Sequence, residues 1–171
     1  MGKTVRKWWW VWDFEKEEKW LNQMAAEGWA LCGVGFCRYE FEKCEPGEYT
    51  VRLEFLEHLP GSAEGGDYIR FLEETGAEHV GSYMRWAYFR KKAVDGTIDI
   101  YSDTASRVAH LRRMQYMIAP IAAANLCIGL ANLGHSKVSF INLGCAALLA
   151  YAAWRLEKMK KRIQKESSLF E

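Results

Sequence analysis

The sequence predicts an α+β fold in which a duplicated βαββ cytoplasmic domain is followed by an α-helical transmembrane hairpin. Three observations lead to this prediction: strand and helix patterns that recur over the first 92 residues, two uncharged stretches near the C-terminus, and Lys and Arg residues that flank those stretches. The predicted divisions are a cytoplasmic domain at 1–98, a juxtamembrane helix at 99–113, the hairpin at 114–156 and a basic cytoplasmic tail at 157–171.

The first repeat begins with a predicted strand. From Trp8 to Trp12 every second residue is tryptophan, and aromatic residues favour strands. Asp13 is placed to cap the helix that follows, because its side chain can accept hydrogen bonds from the first free amide groups. Gly28 ends that helix, and residues 29–43 alternate as two strands joined by a turn.

The second repeat begins with a long predicted strand from Tyr49 to Glu57, which leads into a flexible, glycine-rich loop. Asp67 is placed to cap a short helix, and Gly76 ends it. Residues 77–83 and 86–92 then form a second hairpin.

The two halves correspond without a gap when the chain is shifted by 48 positions, which places Gly28 on Gly76. Helix ends and hairpin lengths also match under this shift. The pattern indicates an internal repeat, with βαββ units at about 3–45 and about 48–92. We expect both helices on one face of a single sheet, with the other face open for contacts.

Two uncharged stretches predict the transmembrane hairpin. Met114–Leu133 has 20 residues and Val138–Trp154 has 17, with only residues 134–137 between them. A helix of 20 residues spans about 30 Å, the thickness of the hydrocarbon core. A soluble protein with a buried or dimerising helical hairpin is the alternative.

The flanking charges predict the orientation of the hairpin. Residues 1–113 carry 16 Lys and Arg against 19 Asp and Glu, whereas residues 114–171 carry 7 against 3. Basic residues stand before the first span and after the second, so the positive-inside rule places both termini in the cytoplasm. The predicted location is therefore the inner (plasma) membrane, in two passes. The acidic first part argues against nucleic-acid binding.

Small and polar residues in the two stretches are candidates for helix packing, because helices in lipid associate through close approach and hydrogen bonds. We expect the two asparagines to hydrogen-bond across the hairpin; a polar pathway or a binding site in the membrane is the alternative. The packing candidates are Asn125, Gly129, Asn142 and Gly144.

Eight tryptophans in this length suggest a binding surface. Aromatic rings beside charged groups can stack on a flat apolar or cationic ligand, or form a surface for a partner. The alternative is that these rings fill a small core or meet lipid headgroups. The candidate residues for a ligand or partner surface are Trp8, Trp10, Trp12, Trp29, Arg38, Glu54, Arg85 and Trp86.

No catalytic, cofactor-binding or metal-binding set is predicted. Gly2-Lys3-Thr4 lacks the upstream glycine of a phosphate-binding loop, and the four histidines are scattered singly. The five cysteines form no CxxC pair, which favours reduced thiols. The sequence leaves enzymatic activity open but leans against it, and it predicts no cofactor.

Four segments resemble an uncharacterised bacterial family, a domain of unknown function followed by membrane helices. They are VWDFEKEEKWLNQMAAEGWAL, FEKCEPGEYTVRLEFLE, DYIRFLEETGAEHVGSYMRWAYFRKK and IYSDTASRVAHLRR. Members of that family are often encoded beside PadR-type transcriptional regulators, so the resemblance implies a membrane-associated, regulatory role. It supplies no catalytic residues.

The expected function is therefore that of a membrane-anchored regulatory or interaction domain. It would contact membrane lipid and bind an amphiphilic ligand or a protein partner, such as a transcriptional regulator or a membrane complex. Two alternatives stay open: a structural subunit of a membrane complex and a membrane-anchored enzyme.

Overall fold

The structure is a computed structural model that describes residues 2–96, 98, 104–135 and 137–167. The chain divides into two compact units, Met1–Ile100 and Tyr101–Glu171, which we call the N-terminal unit and the C-terminal unit. The N-terminal unit holds two three-stranded antiparallel sheets with two helices, and the C-terminal unit consists of two long apolar helices. The predicted α+β class is confirmed.

The N-terminal unit repeats one order of elements, strand–helix–strand–strand. The first set is β1 (Lys3–Arg6), α1 (Phe14–Ala26), β2 (Trp29–Gly35) and β3 (Arg38–Lys43), with a short 3-10 helix at Val11–Asp13 before α1. The second set is β4 (Tyr49–Phe55), α2 (Ala63–Glu74), β5 (Glu78–Tyr83) and β6 (Trp86–Lys92), with a 3-10 helix at Ala93–Asp95 after it.

The two sheets share one topology. Their strand orders are β1-β3-β2 and β4-β6-β5, so the last strand of each set lies in the middle. The register shifts between Leu31 and Gly33 in the first sheet and between His79 and Gly81 in the second, at positions 48 apart. The βαββ repeat read from the sequence is therefore present in both secondary structure and strand pairing.

Glycine ends both helices in the same way. Gly28 and Gly76 each have a φ of +85°, a conformation that costs other residues energy. The Gly28 amide donates to the Ala25 carbonyl at 3.0 Å, and the Gly76 amide donates to the Glu73 carbonyl at 2.9 Å. The predicted helix ends are correct.

The predicted first strand is wrong, whereas the second repeat begins at Tyr49 as predicted. Trp8–Trp12 is not a strand: the first strand is Lys3–Arg6, and residues 11–13 form a 3-10 helix. The alternation of tryptophans is a pattern typical of a half-buried strand. The first strand of the structure instead lies at a sheet edge and is mostly exposed. Asp13 does precede α1, but its side chain caps no amide and pairs with Lys16 instead.

The second helix begins earlier than predicted. Its cap is Ser62, whose Oγ accepts from the Gly65 amide at 3.1 Å, and Asp67 lies inside the helix. Gly65 and Gly66, which suggested a loop, belong to the first turns of α2. A Cβ added to Gly65 would lie 2.1 Å from the Leu59 carbonyl oxygen, so the close approach of that carbonyl requires glycine here.

The two helices pack on opposite faces of β6. Leu21 and Met24 of α1 share a core with Tyr88, whereas Ile69 of α2 shares another with Phe89. Neighbouring residues of a strand point to opposite faces, so Tyr88 and Phe89 cannot pack against the same helix. The expectation of one covered face and one open face is therefore wrong.

Helix α1 also covers the free edge of β4. The Asn22 side-chain amide donates to the Val51 carbonyl at 2.8 Å, and its oxygen accepts from the Val51 amide at 2.9 Å. Glu18 accepts from the Leu53 amide at 3.0 Å and pairs with Arg52 at 2.8 Å. These side chains bind backbone groups that an edge strand would otherwise leave open.

Strands β2 and β5 lie side by side and bring the two sheets together. A Cβ on Gly81 would lie 3.1 Å from the Val34 side chain, so a larger residue here would displace Val34 by a few tenths of an ångström. Arg90 links both sheets, since it donates to the Leu31 carbonyl at 2.9 Å and pairs with Glu42 at 2.6 Å and Glu78 at 2.8 Å.

The C-terminal unit is an antiparallel hairpin of α3 (Thr104–Ala131) and α4 (Val138–Ser167). Ser139 donates to the Gly129 carbonyl at 2.5 Å near the loop, and Gln115 donates to the Ala153 carbonyl at 3.3 Å farther away. Both helices are long and apolar enough to cross a membrane, and only 17% of each apolar window is buried. Residues 99–103 of the predicted juxtamembrane helix lie outside the described residues, and the remainder of that helix forms the start of α3.

Candidate interaction surface

Both hairpin turns of the N-terminal unit carry a large apolar side chain. Phe36 follows β2 and is 65% exposed, and Met84 follows β5 and is 68% exposed. Turns normally carry Gly, Asn, Asp or Ser, which suit their backbone and face water. Phe36 and Met84 also occupy equivalent positions of the repeat, 48 residues apart.

The segment after β1 adds two tryptophans beside the first turn. The Lys7 amide donates to the Cys37 carbonyl at 3.1 Å and holds the segment in place. The Trp8 ring meets Phe36 edge-on at 5.9 Å and Trp10 at 5.6 Å. Trp10 in turn stacks at 5.0 Å on Trp12, which is buried.

The two turns meet through aromatic rings. Phe36 and Tyr83 lie 5.7 Å apart between ring centroids, so residues of both repeats form one cluster. We call this cluster the aromatic tip; its members are Trp8, Trp10, Phe36, Tyr83 and Met84. Trp8 is 56% exposed and Trp10 is 43% exposed. Large apolar side chains that gather on a surface mark interaction sites, whereas singly scattered ones do not.

Cationic side chains border the aromatic tip. Arg6 and Arg38 are directly opposite each other in the β1–β3 pair, and Arg38 forms an ion pair with Glu40. The Lys7 ammonium lies 4.4 Å from the Trp9 ring centroid, a cation–π contact. Arg85, next to Met84, donates to the Glu57 carbonyl at 2.7 Å. The surface therefore combines exposed rings with positive charge.

A second polar cluster lies inside the core. Glu17 Oε1 accepts from the Tyr39 hydroxyl at 2.6 Å and from the Tyr88 hydroxyl at 2.7 Å, and all three residues are buried. Burial raises the pKa of Glu17, and the two hydroxyls oppose this by stabilising the carboxylate. Burial, followed by the effect of Glu17, raises the pKa of both tyrosines. The cluster joins α1 to both sheets and has a structural role.

In the described part of the chain, no three His, Cys, Asp or Glu side chains are grouped to hold a metal ion. His79 bonds Ser82 at 2.8 Å, and burial lowers the pKa of its imidazole.

Residues 13–123 match the family described as a protein of unknown function, DUF2812. The chain belongs to this family. The DUF2812 match begins after Trp8 and Trp10, includes both hairpin turns, and ends inside α3. No curated protein and no solved structure matches the chain.

Of the side chains proposed from the sequence as a ligand or partner surface, the structure places Trp8 and Trp10 in the aromatic tip and Arg38 and Arg85 at its border. Trp12 is buried beneath Trp10 and is not part of the exposed surface.

Three further sequence candidates are not among the residues that form the aromatic tip. Glu54 is fully buried. Trp86 packs between Phe14, at 5.4 Å, and Phe55, at 5.2 Å, against the core that contains α1. Trp29 begins β2 at the end opposite the turn, where Lys3 lies over its ring at 5.2 Å. Glu54 and Trp29 are therefore not part of the aromatic tip, whereas Trp86 lies beside it as the strand partner of Tyr83.

Sequence reasoning missed Phe36, Tyr83 and Met84, which complete the aromatic tip. A signal was present, because the 48-residue shift places Phe36 on Met84 in the predicted turns of both hairpins. Two apolar residues at equivalent turn positions are unusual in a soluble surface.

The hairpin candidates lie in different environments. Gly129 is buried, and a Cβ there would lie 2.8 Å from the Leu143 side chain. Gly144 has nothing within 4 Å of its Cβ position. Asn125 donates to the Ile121 carbonyl of its own helix at 2.9 Å, and Asn142 is half-buried. Gly129 is thus the candidate that brings the two helices close together.

Proposed function

We propose that this protein is a membrane-anchored interaction protein with a regulatory role. The C-terminal unit is its two-pass anchor in the cytoplasmic membrane, and the N-terminal unit binds an amphiphilic ligand or a protein partner through the aromatic tip. The observation that carries the proposal is a cluster of large side chains in which Trp8, Trp10, Phe36 and Met84 are exposed and Tyr83 is half-buried.

The anchor is supported by the length and surface of α3 and α4. In water, two helices with so little of their apolar surface buried would be unstable or would aggregate, whereas lipid solvates that surface. Basic residues precede the first span and follow the second, while the described loop residues include only Lys137 as a formal charge. The positive-inside rule then keeps both termini cytoplasmic.

The interaction role is supported by the composition of the aromatic tip. Aromatic residues, Met and Arg are enriched in protein interfaces, and all of these types are present here. The family resemblance adds a regulatory context, with a PadR-type transcriptional regulator as one candidate partner.

Photo-crosslinking from intact membranes tests this proposal. A benzoylphenylalanine at Phe36 is expected to form adducts with a protein or an amphiphile, because the side chain lies in the exposed tip. The same substitution at Phe71 is a matched control, since that ring is 57% exposed on α2. Equal labelling at both positions, or none at Phe36, would remove the aromatic tip as the binding surface.

A further inference from the structure

The aromatic tip has the composition that proteins place at the surface of a bilayer. Tryptophan and tyrosine rings favour the headgroup level, because one part of each ring system is apolar and another can hydrogen-bond. Phe36 and Met84 carry no such polar group and can enter the acyl boundary. The most exposed members of the tip are thus its two most apolar side chains.

The shape of the tip also suits a surface more than a small ligand. Phe36 and Met84 stand in chain turns at the ends of two hairpins, and Tyr83 joins the turns through its contact with Phe36. Ligand pockets are usually concave clefts that surround most of the bound molecule. Side chains at two adjacent turns instead form a protruding edge that can enter the surface of a lipid bilayer.

The charges beside the tip match an anionic leaflet. Arg6, Lys7 and Arg38 lie at the junction of β1 and the first turn, and Arg85 follows Met84. Each basic residue near an anionic surface contributes about 1 kcal/mol of attraction. Glu40 neutralises Arg38, but Arg6, Lys7 and Arg85 form no ion pair among the described residues.

The chain itself keeps a bilayer within reach of the tip. Only residues 99–103 separate Ile98 from the first residue of α3. An extended chain spans at most about 3.6 Å per residue, so this connection reaches roughly 20 Å. A folded domain of about 100 residues has a radius of gyration of about 13 Å. Short tethers give effective concentrations of the order of millimolar, so even a weak affinity for lipid is sufficient.

From these observations we infer that the aromatic tip inserts into the headgroup region of the same anionic membrane that holds the hairpin. The inference rests on the proposed function, because the hairpin must be in a bilayer for the tether to act. The amphiphile that the aromatic tip binds is then the lipid surface itself. The N-terminal unit then has a second, reversible contact with the membrane, which a partner would have to displace to reach the tip.

The test uses the full-length chain labelled with 5-fluorotryptophan and reconstituted in phosphatidylglycerol nanodiscs that contain 5-doxyl phosphatidylcholine. Fluorine resonances are assigned with single Trp→Phe variants. Trp8 and Trp10 are expected to lose their signals through broadening by the spin label. Trp29 is expected to keep its signal, because β2 extends about 20 Å from it to the turn. Trp154 lies in α4 and reports insertion of the hairpin.

The four tryptophan probes separate the possible failures. Loss of the Trp154 signal alone overturns the inference and leaves the anchor intact. Retention of all signals overturns the anchor, and the inference with it. Signals of Trp8 and Trp10 that resist the spin label but change with the protein-to-lipid ratio show that the tip meets a second copy of the chain, which also overturns the inference.

A double variant, Phe36→Ser with Met84→Asn, identifies the side chains that enter the lipid. Asparagine is chosen at position 84 because Met84 has a φ of +55°, which asparagine tolerates. Trp8 and Trp10 are expected to regain their signals in this variant and in uncharged phosphatidylcholine nanodiscs. The control Phe71→Ser removes an equally exposed ring from α2 and is expected to change nothing. Full broadening in the double variant would contradict insertion by the two turns.

Discussion

Glu17 is a buried carboxyl group that accepts hydrogen bonds from two tyrosine hydroxyls of the core. Burial raises its pKa above the ordinary value of 4.5. The folded state therefore binds more protons than the unfolded state above that pH, and the free energy of unfolding falls as the pH rises through this window. Glu17 thus opposes folding more at neutral pH than at acidic pH.

Replacing Glu17 by glutamine should remove this dependence while keeping an oxygen that can accept both hydroxyls. The unfolding free energy of Glu17→Gln, relative to the parent protein, is expected to increase from about pH 4 to about pH 7. Urea unfolding followed by tryptophan fluorescence measures it, since seven of the eight tryptophans lie in the N-terminal unit. Glu74→Gln, an exposed change on α2, is the control. A difference that stays constant with pH would contradict this account.

Trp86 shows why the sequence alone could not separate binding residues from core residues. The sequence interpretation placed it in a candidate ligand or partner surface. In the structure its ring packs against Phe14 and Phe55, so Trp86→Ala should lower stability by about 3 kcal/mol. Trp8→Ala, at the exposed tip, should change stability by less than about 0.5 kcal/mol. Equal effects of the two substitutions in urea unfolding would place both rings in the same environment.

At the scale of single elements, the contact of α1 with β4 is expected to affect both stability and aggregation. Asn22 makes two hydrogen bonds to the backbone of Val51. Asn22→Ala should destabilise the N-terminal unit by about 2 kcal/mol, because both backbone groups lose their partner. It should also increase aggregation, since an uncovered edge strand can pair with another chain.

The neighbouring substitution Gln23→Ala is the control for Asn22→Ala. Gln23 is exposed on the same helix and bonds only Glu27, at 3.3 Å. Chemical unfolding measures the stability of both variants, and light scattering during refolding measures their aggregation. An Asn22→Ala variant that behaves like Gln23→Ala would show that α1 does not protect this edge.

The ends of elements were easier to predict than their starts. Gly28 and Gly76 mark helix ends because a left-handed backbone at that position selects glycine locally. The start of α2 depends on Ser62 and on the approach of the Leu59 carbonyl to Gly65, which is a tertiary contact. The tryptophan alternation at residues 8–12 misled for the same reason, because pairing partners decide whether such a segment is a strand.

At the scale of the whole molecule, the repeat was readable from the sequence because it is a periodic pattern, and the hairpin was readable because its two stretches carry no charge. The sheet faces on which α1 and α2 pack could not be read from the sequence. Whether α1 and α2 share a face depends on which sheet each helix meets, and α1 contacts β4 of the other repeat. The aromatic tip was only half predicted, since Trp8 and Phe36 come together through the turn at Cys37 and not through their spacing.

The two long apolar helices of the hairpin predict that the full-length chain is found in the membrane. Full-length protein should stay in the membrane pellet after alkaline carbonate extraction, because two helices of 28 and 30 residues can span the hydrocarbon core. The fragment 1–98 lacks both helices and should move to the supernatant, since carbonate releases proteins that bind only at the surface. The fragment should also fold by itself and melt cooperatively in circular dichroism, as its cores lie within the N-terminal unit. Full-length protein in the supernatant would mean that α3 and α4 form a soluble hairpin, and the membrane surface would no longer explain why Phe36 and Met84 are exposed.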